Sequence, residues 1–371
     1  MGTHIPVNRP LLNGNEKKYL AECIDTGWIS SEGPFVERLE NEFAARVGRR
    51  YGIAVSNGSA AIDLAVTALD IKAGDEVIVP TLTIISCISQ LLRVGAVPVF
   101  VDCEPETWNI DVLQIERLIT PKTKAIMVVH IYGLPCDMKP ILELAERYQL
   151  KIIEDAAEAH GQSYHGRKCG SFGQISTFSF YPNKHVTTGE GGIILTDDEL
   201  IAESCRSLRN LCFQQDRRFV HERLGWNMRM SNLQAAVGVA QLEQLDFFIS
   251  LKREMGRRYS EAFQTLPNVR LPKDEVSYAK NHYWVYPMVL NGDYRKTASQ
   301  IMRELSELGI GTRPFFYPLH QQPVLPKHRG TDNVLANADY AAEYGFYLPS
   351  GLGLTADELD AVVHAVIKVL A

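Results

Sequence analysis

Paired cysteines are missing from this sequence of 371 residues. Its seven cysteines are an odd number, are widely scattered and include no Cys-x-x-Cys spacing. This pattern argues against a disulfide framework and against a zinc site, and no other metal site is indicated. We expect reduced thiols, as in a cytoplasmic protein.

Long runs of one residue type are missing as well. The net charge is only −6 and no long basic run occurs, so neither nucleic acid nor an anionic membrane surface is an expected partner. No stretch reaches the ~18 apolar residues of a membrane span. Residues 1–10, MGTHIPVNRP, lack the apolar core of a signal peptide. Repeats and low-complexity tracts are absent too, which leaves a compact cytoplasmic protein as the expectation.

Short apolar strands alternate with helical segments between residues 51 and 155. This alternation predicts a mostly parallel sheet with helices on both faces, and ligands gather beyond the C-terminal ends of such strands. The expected strands lie at 53–55, 76–79, 97–101, 125–129 and 151–154.

The C-terminal third of the sequence has a different pattern. A long amphipathic helix at 247–263 precedes a strand at 282–290, a helix at 295–308 and a final helix at 356–370. We predict an α/β large domain over residues 1–245 and a smaller α+β domain over residues 246–371.

One lysine stands between a strand and a glycine-rich turn. The stretch SFYPNKHVTTGEGG, residues 179–192, follows a β-branched and aromatic run and ends in a bend at Gly189, Gly191 and Gly192. Lys184 is therefore held rigidly at a strand end. The alternative is a solvated loop lysine, which is the ordinary interpretation of any single lysine.

Two further segments favour a function for Lys184. KIIED, residues 151–155, predicts a strand that ends in two carboxylates, and VSNGSAA, residues 55–61, predicts a helix N-terminus suited to a phosphate. Pyridoxal phosphate needs an amine for a Schiff base, a carboxylate for its pyridine nitrogen and donors for its phosphate. The three segments together predict that cofactor.

The order of these segments, with IEDAAEAHG, STFSFYPNKHVTTGEGG, LGWNMRMSNLQAAVG and TRPFFYPLH, resembles a known family. It is similar to the vitamin B6-dependent nucleotide-sugar aminotransferases of the DegT type, which have the aspartate-aminotransferase fold (fold type I). The similarity runs over nearly the whole chain and is greatest to the GDP-perosamine synthases. It implies a homodimer with shared active sites.

The resemblance also implies an activity. In this expected reaction, the amine of L-glutamate is transferred through pyridoxal phosphate to a nucleotide-linked 4-keto-6-deoxy sugar. The expected role of the reaction is surface polysaccharide or O-antigen synthesis. GDP-4-keto-6-deoxymannose would give GDP-perosamine.

The resemblance assigns roles around the cofactor. Lys184 is expected to form the Schiff base and shuttle the proton, and Asp155 to pair with the pyridine nitrogen, although Asp155 also fits a helix N-cap. Glu158 is expected beside the phenolic oxygen, where it donates a hydrogen bond only if its pKa is raised. Phosphate contacts are expected from Ser59, the backbone of Ala60, Ser179 and, across the dimer interface, Asn227.

Substrate positions also follow from the resemblance. Arginine suits a diphosphate because its guanidinium forks onto two oxygens. Interface salt bridges are the alternative for the arginines, and a core anchor is the alternative for the tryptophan. The positions that match the family near the sugar nucleotide are Trp28, Ser30, Arg229, Arg313, Tyr317 and His320.

Two positions depart from the family pattern. Ile84 stands where an aromatic ring usually stacks on the pyridine, and Pro182-Asn183 stands where Gly-Asn is more usual. These departures leave the sugar open.

Three alternatives remain at this point. The sugar could be dTDP- or UDP-linked, or carry its ketone at another carbon. A related dehydratase replaces the lysine by histidine, and His185 is adjacent to Lys184, so the register matters. A regulatory cofactor-binding protein is disfavoured because no DNA-binding appendage is present.

Overall fold

The computed structural model describes residues 4–214, 216–292, 294–325 and 335–370, so a few residues of the predicted ranges 1–245 and 246–371 lie outside it. In these described ranges, no helix is long and apolar enough to cross a membrane. The strands are β1 (Tyr51–Val55), β2 (Glu76–Pro80), β3 (Val97–Val101), β4 (Thr123–Val129), β5 (Lys151–Asp155), β6 (Ser163–Tyr164), β7 (Arg167–Lys168), β8 (Ile175–Ser179), β9 (Gly192–Thr196), β10 (Val269–Arg270), β11 (Glu275–Val276), β12 (Ala279–Lys280), β13 (Tyr286–Leu290), β14 (Arg313–Pro314) and β15 (Gly345–Leu348).

Seven of these strands form one large sheet. Their order is β1, β9, β8, β5, β4, β2, β3; β9 runs antiparallel to both neighbours, and the other neighbours pair in parallel. Along β2, Val77 and Val79 join one hydrophobic cluster while Ile78 joins another on the opposite face. Both faces are thus covered, as continuous apolar strands of a parallel sheet require. The predicted mostly parallel α/β sheet is confirmed.

Helices cover this sheet and extend into the C-terminal third. The alanine-rich helix starts at Asn232 with a capping box, in which the Ser231 hydroxyl accepts the N–H of Gln234 and the Gln234 side chain accepts the N–H of Ser231. The helices are α1 (Glu16–Thr26), α2 (Pro34–Val47), α3 (Gly58–Ala68), α4 (Ser86–Arg93), α5 (Val112–Ile115), α6 (Met138–Tyr148), α7 (Glu199–Arg209), α8 (Asn232–Leu242), α9 (Leu245–Phe263), α10 (Ala298–Glu307), α11 (Ala336–Tyr344) and α12 (Ala356–Leu370).

A second, antiparallel sheet lies in the C-terminal third. Its four strands have the order β10, β13, β15, β14. Residues of α9, α10 and α12 share one hydrophobic cluster with β13 and β15. An α+β arrangement is therefore present there, and we keep the boundary at residue 246 as a prediction.

The N-terminal segment packs on this second sheet region before the chain enters the large one. Ile5 forms a parallel bridge with Ile310. Val7 accepts a backbone hydrogen bond from Ser350 (3.0 Å), and Arg9 accepts one from Gly353 (2.9 Å). The chain then continues into α1, so it passes from the smaller sheet to the larger one near residue 10 and returns along α9.

Candidate active site

A cavity of about 550 Å³ opens at the carboxyl edge of the large sheet. Strands β1, β2, β4, β5 and β8 supply its floor through the residues at or just after their C-terminal ends. This is where ligands meet a parallel sheet, because the helix N-termini and the loops after the strands converge there. The lining includes Asn57, Gly58, Ser59, Thr83, Ile84, Ser86, Asp155, Glu158, Thr177, Ser179, Asn183, Lys184, Trp284, Phe316 and Tyr347.

Lys184 enters the cavity from a tight turn after β8. Its N–H donates to the carbonyl of Tyr181 (2.9 Å), which fixes the turn. The Nζ atom lies 3.7 Å from Glu158 Oε1 in a side chain that is only 10% exposed. Burial lowers the pKa of Lys184, while the carboxylates of Glu158 and Asp155 oppose that shift. The amine is thereby closer to its nucleophilic, neutral form than a surface lysine.

His185 faces away from the cavity. It is fully buried, and its Nε2 lies 3.4 Å from the backbone carbonyl of His282. Lys184, and not His185, lines the cavity. Of the two adjacent residues, the fold therefore places the lysine, and not the histidine, in the cavity.

Asp155 ends β5 on the cavity floor, with 3% of its surface exposed. Its carboxylate accepts hydrogen bonds from the Ala157 N–H (3.1 Å) and the Cys87 thiol (3.5 Å). Neither donor carries a charge, and burial raises the pKa of Asp155. A buried carboxylate with neutral donors that faces a cavity is suited to a cationic ligand group.

Glu158 lies in the loop after β5. Its Oε2 accepts a hydrogen bond from the backbone N–H of Tyr132 (2.8 Å), while Oε1 faces Lys184. Burial raises the pKa of Glu158, and the positive charge of Lys184 opposes this. A raised pKa favours the protonated carboxyl group, which is the form of Glu158 that can donate a hydrogen bond.

The start of α3 forms the polar end of the cavity. Asn57 caps the helix, and its Oδ1 accepts the N–H of Ala60 (2.8 Å). The N–H groups of Gly58 and Ser59 come before any residue with an intrahelical partner, so they are the free donors of the first turn. Ser59 Oγ lies 2.6 Å from Ser86 Oγ. An anion is favoured at such a helix end.

Gly58 is required at this helix start. A Cβ atom there would lie 2.7 Å from the Cβ of Ser179. The space that the missing side chain leaves brings β8 against α3, which places the Ser179 hydroxyl beside the free N–H groups. The first turn of α3, with Gly58 and Ser59, and Ser179 of β8 thus form one anion-binding site, which we call the cradle.

Two buried polar atoms of the cavity residues have no hydrogen-bond partner. They are Thr177 Oγ1 and Asn183 Oδ1. Buried polar atoms are normally paired, so these two indicate a polar ligand. With the amine of Lys184, the carboxylate of Asp155 and the donors at α3, the cavity fits pyridoxal phosphate.

The predicted cofactor residues are therefore brought together in part. Ser59, Ile84, Asp155, Glu158, Ser179 and Lys184 line one cavity. The N–H of Ala60 is already bonded to Asn57. Asn227 is exposed, outside the cavity lining, in a bridge with Asn210.

The predicted substrate residues lie outside the cavity of the single chain. Trp28 and Ser30 are held by Asn232, which donates to both backbone carbonyls (2.7 and 2.6 Å). Arg229 donates to Asn210, and Arg313 and Tyr317 are exposed.

His320 has partners at both ring nitrogens. Nδ1 lies 2.7 Å from Thr81 Oγ1, and Nε2 lies 3.2 Å from Asp339 Oδ1. The imidazole connects the end of β2 to α11, which explains its burial without any ligand. Its expected substrate role stays a prediction.

Ile84 does line the cavity and is 46% exposed. Phe178 and Tyr181, from the strand and turn before Lys184, also line the cavity, and three further aromatic rings come from the C-terminal third, namely Trp284, Phe316 and Tyr347. These three rings were missed because they are distant in the sequence. The aromatic cluster NHYWVY, residues 281–286, was the available indication for Trp284.

Thr177 was missed although a simple rule finds it. Side chains two residues apart on a strand point to the same face. Ser179 was predicted to face the ligand, so Thr177 on the same strand faces it too, next to Asp155 in the sheet register.

A sequence model of the DegT/DnrJ/EryC1/StrS aminotransferase family matches residues 10–367. The chain is 44% identical over 367 residues to a GDP-perosamine synthase of Caulobacter vibrioides, covering 99% of this chain and 98% of that protein. It is 39% identical over 362 residues to a GDP-perosamine synthase of Vibrio cholerae, covering 98% of each. The structure of the aminotransferase TlmJ from Streptoalloteichus hindustanus matches with a TM-score of 0.92 at 28% identity, covering 99% of this chain and 98% of that one.

Proposed function

Since this chain belongs to the DegT/DnrJ/EryC1/StrS aminotransferase family, we propose that it moves the amine of L-glutamate onto GDP-4-keto-6-deoxymannose and so makes GDP-perosamine. It is an aminotransferase with pyridoxal phosphate as its cofactor. The observation that carries the choice of sugar is the 44% identity over nearly the full length to the Caulobacter vibrioides enzyme. The expected use of the product is surface polysaccharide, including O-antigen.

Lys184 is the residue we assign to covalent attachment and to proton transfer. Its Nζ is the amine that reaches the cavity beside Glu158. Because burial lowers its pKa, the amine can take a proton from the substrate carbon and return it in the second half of the reaction. Glu158, 3.7 Å away, can share that proton.

Asp155 is assigned to the pyridine nitrogen. The bound cofactor supplies a protonated pyridine ring, which stabilises the negative charge formed when the substrate proton leaves. Asp155 favours that protonated ring because its own carboxylate is buried and has neutral donors only. Thr177 and Asn183 have the unpartnered oxygens to orient polar groups of the ligand.

We assign the phosphate to Ser59, Ser179 and the N–H groups that start α3. Asn227 lies outside this cradle in its own chain. We therefore propose that it serves the cradle of a second copy, in a homodimer with shared sites. Trp28, Ser30, Arg229, Arg313, Tyr317 and His320 remain our proposed sugar-nucleotide contacts.

The cytoplasm is our proposed location, since all seven cysteines are buried free thiols and disulfides are rare in that compartment.

A panel of 4-keto nucleotide sugars tests the substrate. The purified holoenzyme is incubated with L-glutamate and, in turn, GDP-, dTDP- and UDP-linked 4-keto-6-deoxy sugars, and the amino sugar is measured by mass spectrometry. We expect the highest kcat/KM with GDP-4-keto-6-deoxymannose. A higher kcat/KM with a dTDP- or UDP-linked sugar would overturn the choice of nucleotide, and deoxygenation without amine transfer would indicate the dehydratase.

The alternatives from the sequence are less well supported. The relatives at 39–44% identity are perosamine synthases, which favours amine transfer over dehydration. Lys184 lies in the cavity and His185 does not, which argues in the same direction.

A further inference from the structure

The amine of Lys184 lies close to both Trp284 and Glu158. The Nζ atom of Lys184 lies 3.8 Å from the centroid of the Trp284 ring and 3.7 Å from Glu158 Oε1. The amine is thus within contact distance of both a carboxylate and an aromatic face. Trp284 belongs to the segment that leads into β13, so a residue of the second sheet region reaches a lysine of the first.

Trp284 is itself held from three directions. Its indole N–H donates to the backbone carbonyl of Asn183 (2.8 Å), the residue before Lys184. Its own carbonyl accepts a hydrogen bond from Lys252 Nζ (2.8 Å), a lysine of α9 that is 2% exposed. Tyr132 stacks on the Trp284 ring with ring centroids 6.1 Å apart. The side chain is only 3% exposed, so the ring has little freedom to turn.

We propose that Trp284 is a positioning residue for the reaction, which orients the Lys184 amine toward the cavity through the face of its indole ring. The proposal rests on the role of Lys184 given under the proposed function. An ammonium within about 6 Å of an indole face is attracted by the ring quadrupole, and most strongly when both are away from water. The indole N–H bond to Asn183 keeps that face turned to the amine.

Ile84 stands where the family resemblance predicts a stacking aromatic ring, and isoleucine offers no ring. The ring that contacts the Lys184 amine belongs to Trp284 of the other sheet region. Its indole N–H donates to the Asn183 carbonyl, and the backbone carbonyl of the same residue accepts a hydrogen bond from Lys252. The orientation of Lys184 then depends on how the two regions meet.

A labelling experiment on the apoenzyme tests this contact. Wild type, Trp284→Leu and Trp284→Phe are treated with acetic anhydride across a pH series, and acetylation of Lys184 is measured by peptide mass spectrometry. Phe316→Leu is the control, because it removes another ring from the cavity wall and leaves Trp284 in place. The groups that face Lys184 are unchanged in all four proteins, namely Glu158, Asp155, Cys87, His160 and Lys252.

Loss of the ring face should destabilise the protonated amine. We expect the labelling midpoint of Trp284→Leu to lie at lower pH than those of wild type and Phe316→Leu, with Trp284→Phe between wild type and Trp284→Leu. In the holoenzyme, kcat of Trp284→Leu should fall on the order of tenfold to a hundredfold with little change in KM for the sugar, because a misplaced reactive group lowers the rate of the chemical step.

Two outcomes would overturn the proposal. One is a midpoint for Trp284→Leu equal to or above that of Phe316→Leu, which would leave solvent exclusion as the role of the ring. The other is an equal loss of kcat in Trp284→Phe and Trp284→Leu when circular dichroism shows both to be folded. Labelling of Lys184 by borohydride reduction of the wild-type holoenzyme tests the proposed function separately, so the two failures are distinguishable.

Discussion

Ile84 stands where the family resemblance predicts an aromatic ring, and this position is open to a direct test. The side chain is half exposed on the cavity wall. An aromatic pair adds about 0.5 to 1.5 kcal/mol beyond the area that it buries. Ile84→Tyr should therefore tighten cofactor binding, by up to about fivefold in the dissociation constant.

The measurement is cofactor affinity together with sugar kinetics on the same variant. If isoleucine instead makes room for the substrate, Ile84→Tyr raises KM for the sugar and leaves cofactor affinity unchanged. Ile84→Val, which adds no ring, is the control for a change of shape alone. No shift in either quantity would show that Ile84 does not face the ring.

Lys252 gives a pH dependence of stability. It is 2% exposed, and burial lowers its pKa to about 7, with the charge of Lys184 as a smaller cause. In the unfolded chain a lysine has a pKa of about 10.4. Between about pH 7 and 10 the unfolded state therefore binds more protons, so the free energy of unfolding rises with pH in that window.

Lys252→Met should remove this rise. The difference in free energy of unfolding between wild type and Lys252→Met should increase from pH 7 toward pH 10, as measured by urea unfolding at several pH values. Lys122→Met, at an exposed position, is the control and should follow wild type. Parallel pH profiles for wild type and Lys252→Met would contradict the assigned burial effect.

Among single residues, Lys184 and Asp155 had the most predictable positions. Lys184 stands in the turn after one strand, and Asp155 is the last residue of another, KIIED. The position of Trp284 was not predictable, because its contact with Lys184 joins residues 100 positions apart. Ala60 was expected to offer its N–H, but the side chain of Asn57 takes it, a competition that the spacing alone does not settle.

At the scale of elements, boundaries were predictable where local patterns end sharply. The final helix was predicted at 356–370 and lies at Ala356–Leu370, and the strand that ends in Asp155 was placed within one residue. The strand predicted at 282–290 begins only at Tyr286. The residues before it bond elsewhere, since the His282 N–H donates to Gly133 and the Trp284 indole to Asn183, both in the large-sheet region. Tertiary contacts decided that boundary.

The start of α8 yields a prediction at this scale. Ser231 and Gln234 form a capping box, and loss of an N-cap hydroxyl costs about 1 kcal/mol. Ser231→Ala should lower the free energy of unfolding by that amount, measured by urea unfolding. Ser250→Ala, which removes a hydroxyl within α9, is the control, and an equal effect of both variants would contradict the capping role.

At the scale of the whole molecule, the proposed homodimer predicts complementation. Lys184→Ala lacks the reactive amine, and Asn227→Ala lacks the proposed phosphate contact across the interface. A mixed dimer holds one site with Lys184 from one copy and Asn227 from the other, so mixing Lys184→Ala with a sufficiently damaged Asn227 variant should give more activity than the two variants give separately. Absence of recovery after verified subunit exchange, with wild type mixed and exchanged in parallel, would count against shared sites.

The path of the backbone sets how the two sheet regions can move. Because residues 5–9 pair with residues 310, 350 and 353 before the chain enters α1, two covalent connections join the regions, one near residue 10 and one along α9. A relative movement of the two regions must therefore be accommodated by the backbone near residue 10 and at α9 together. Lys184 belongs to one region and the indole of Trp284 to the other, so a relative movement of the regions would change the distance between the amine and the ring.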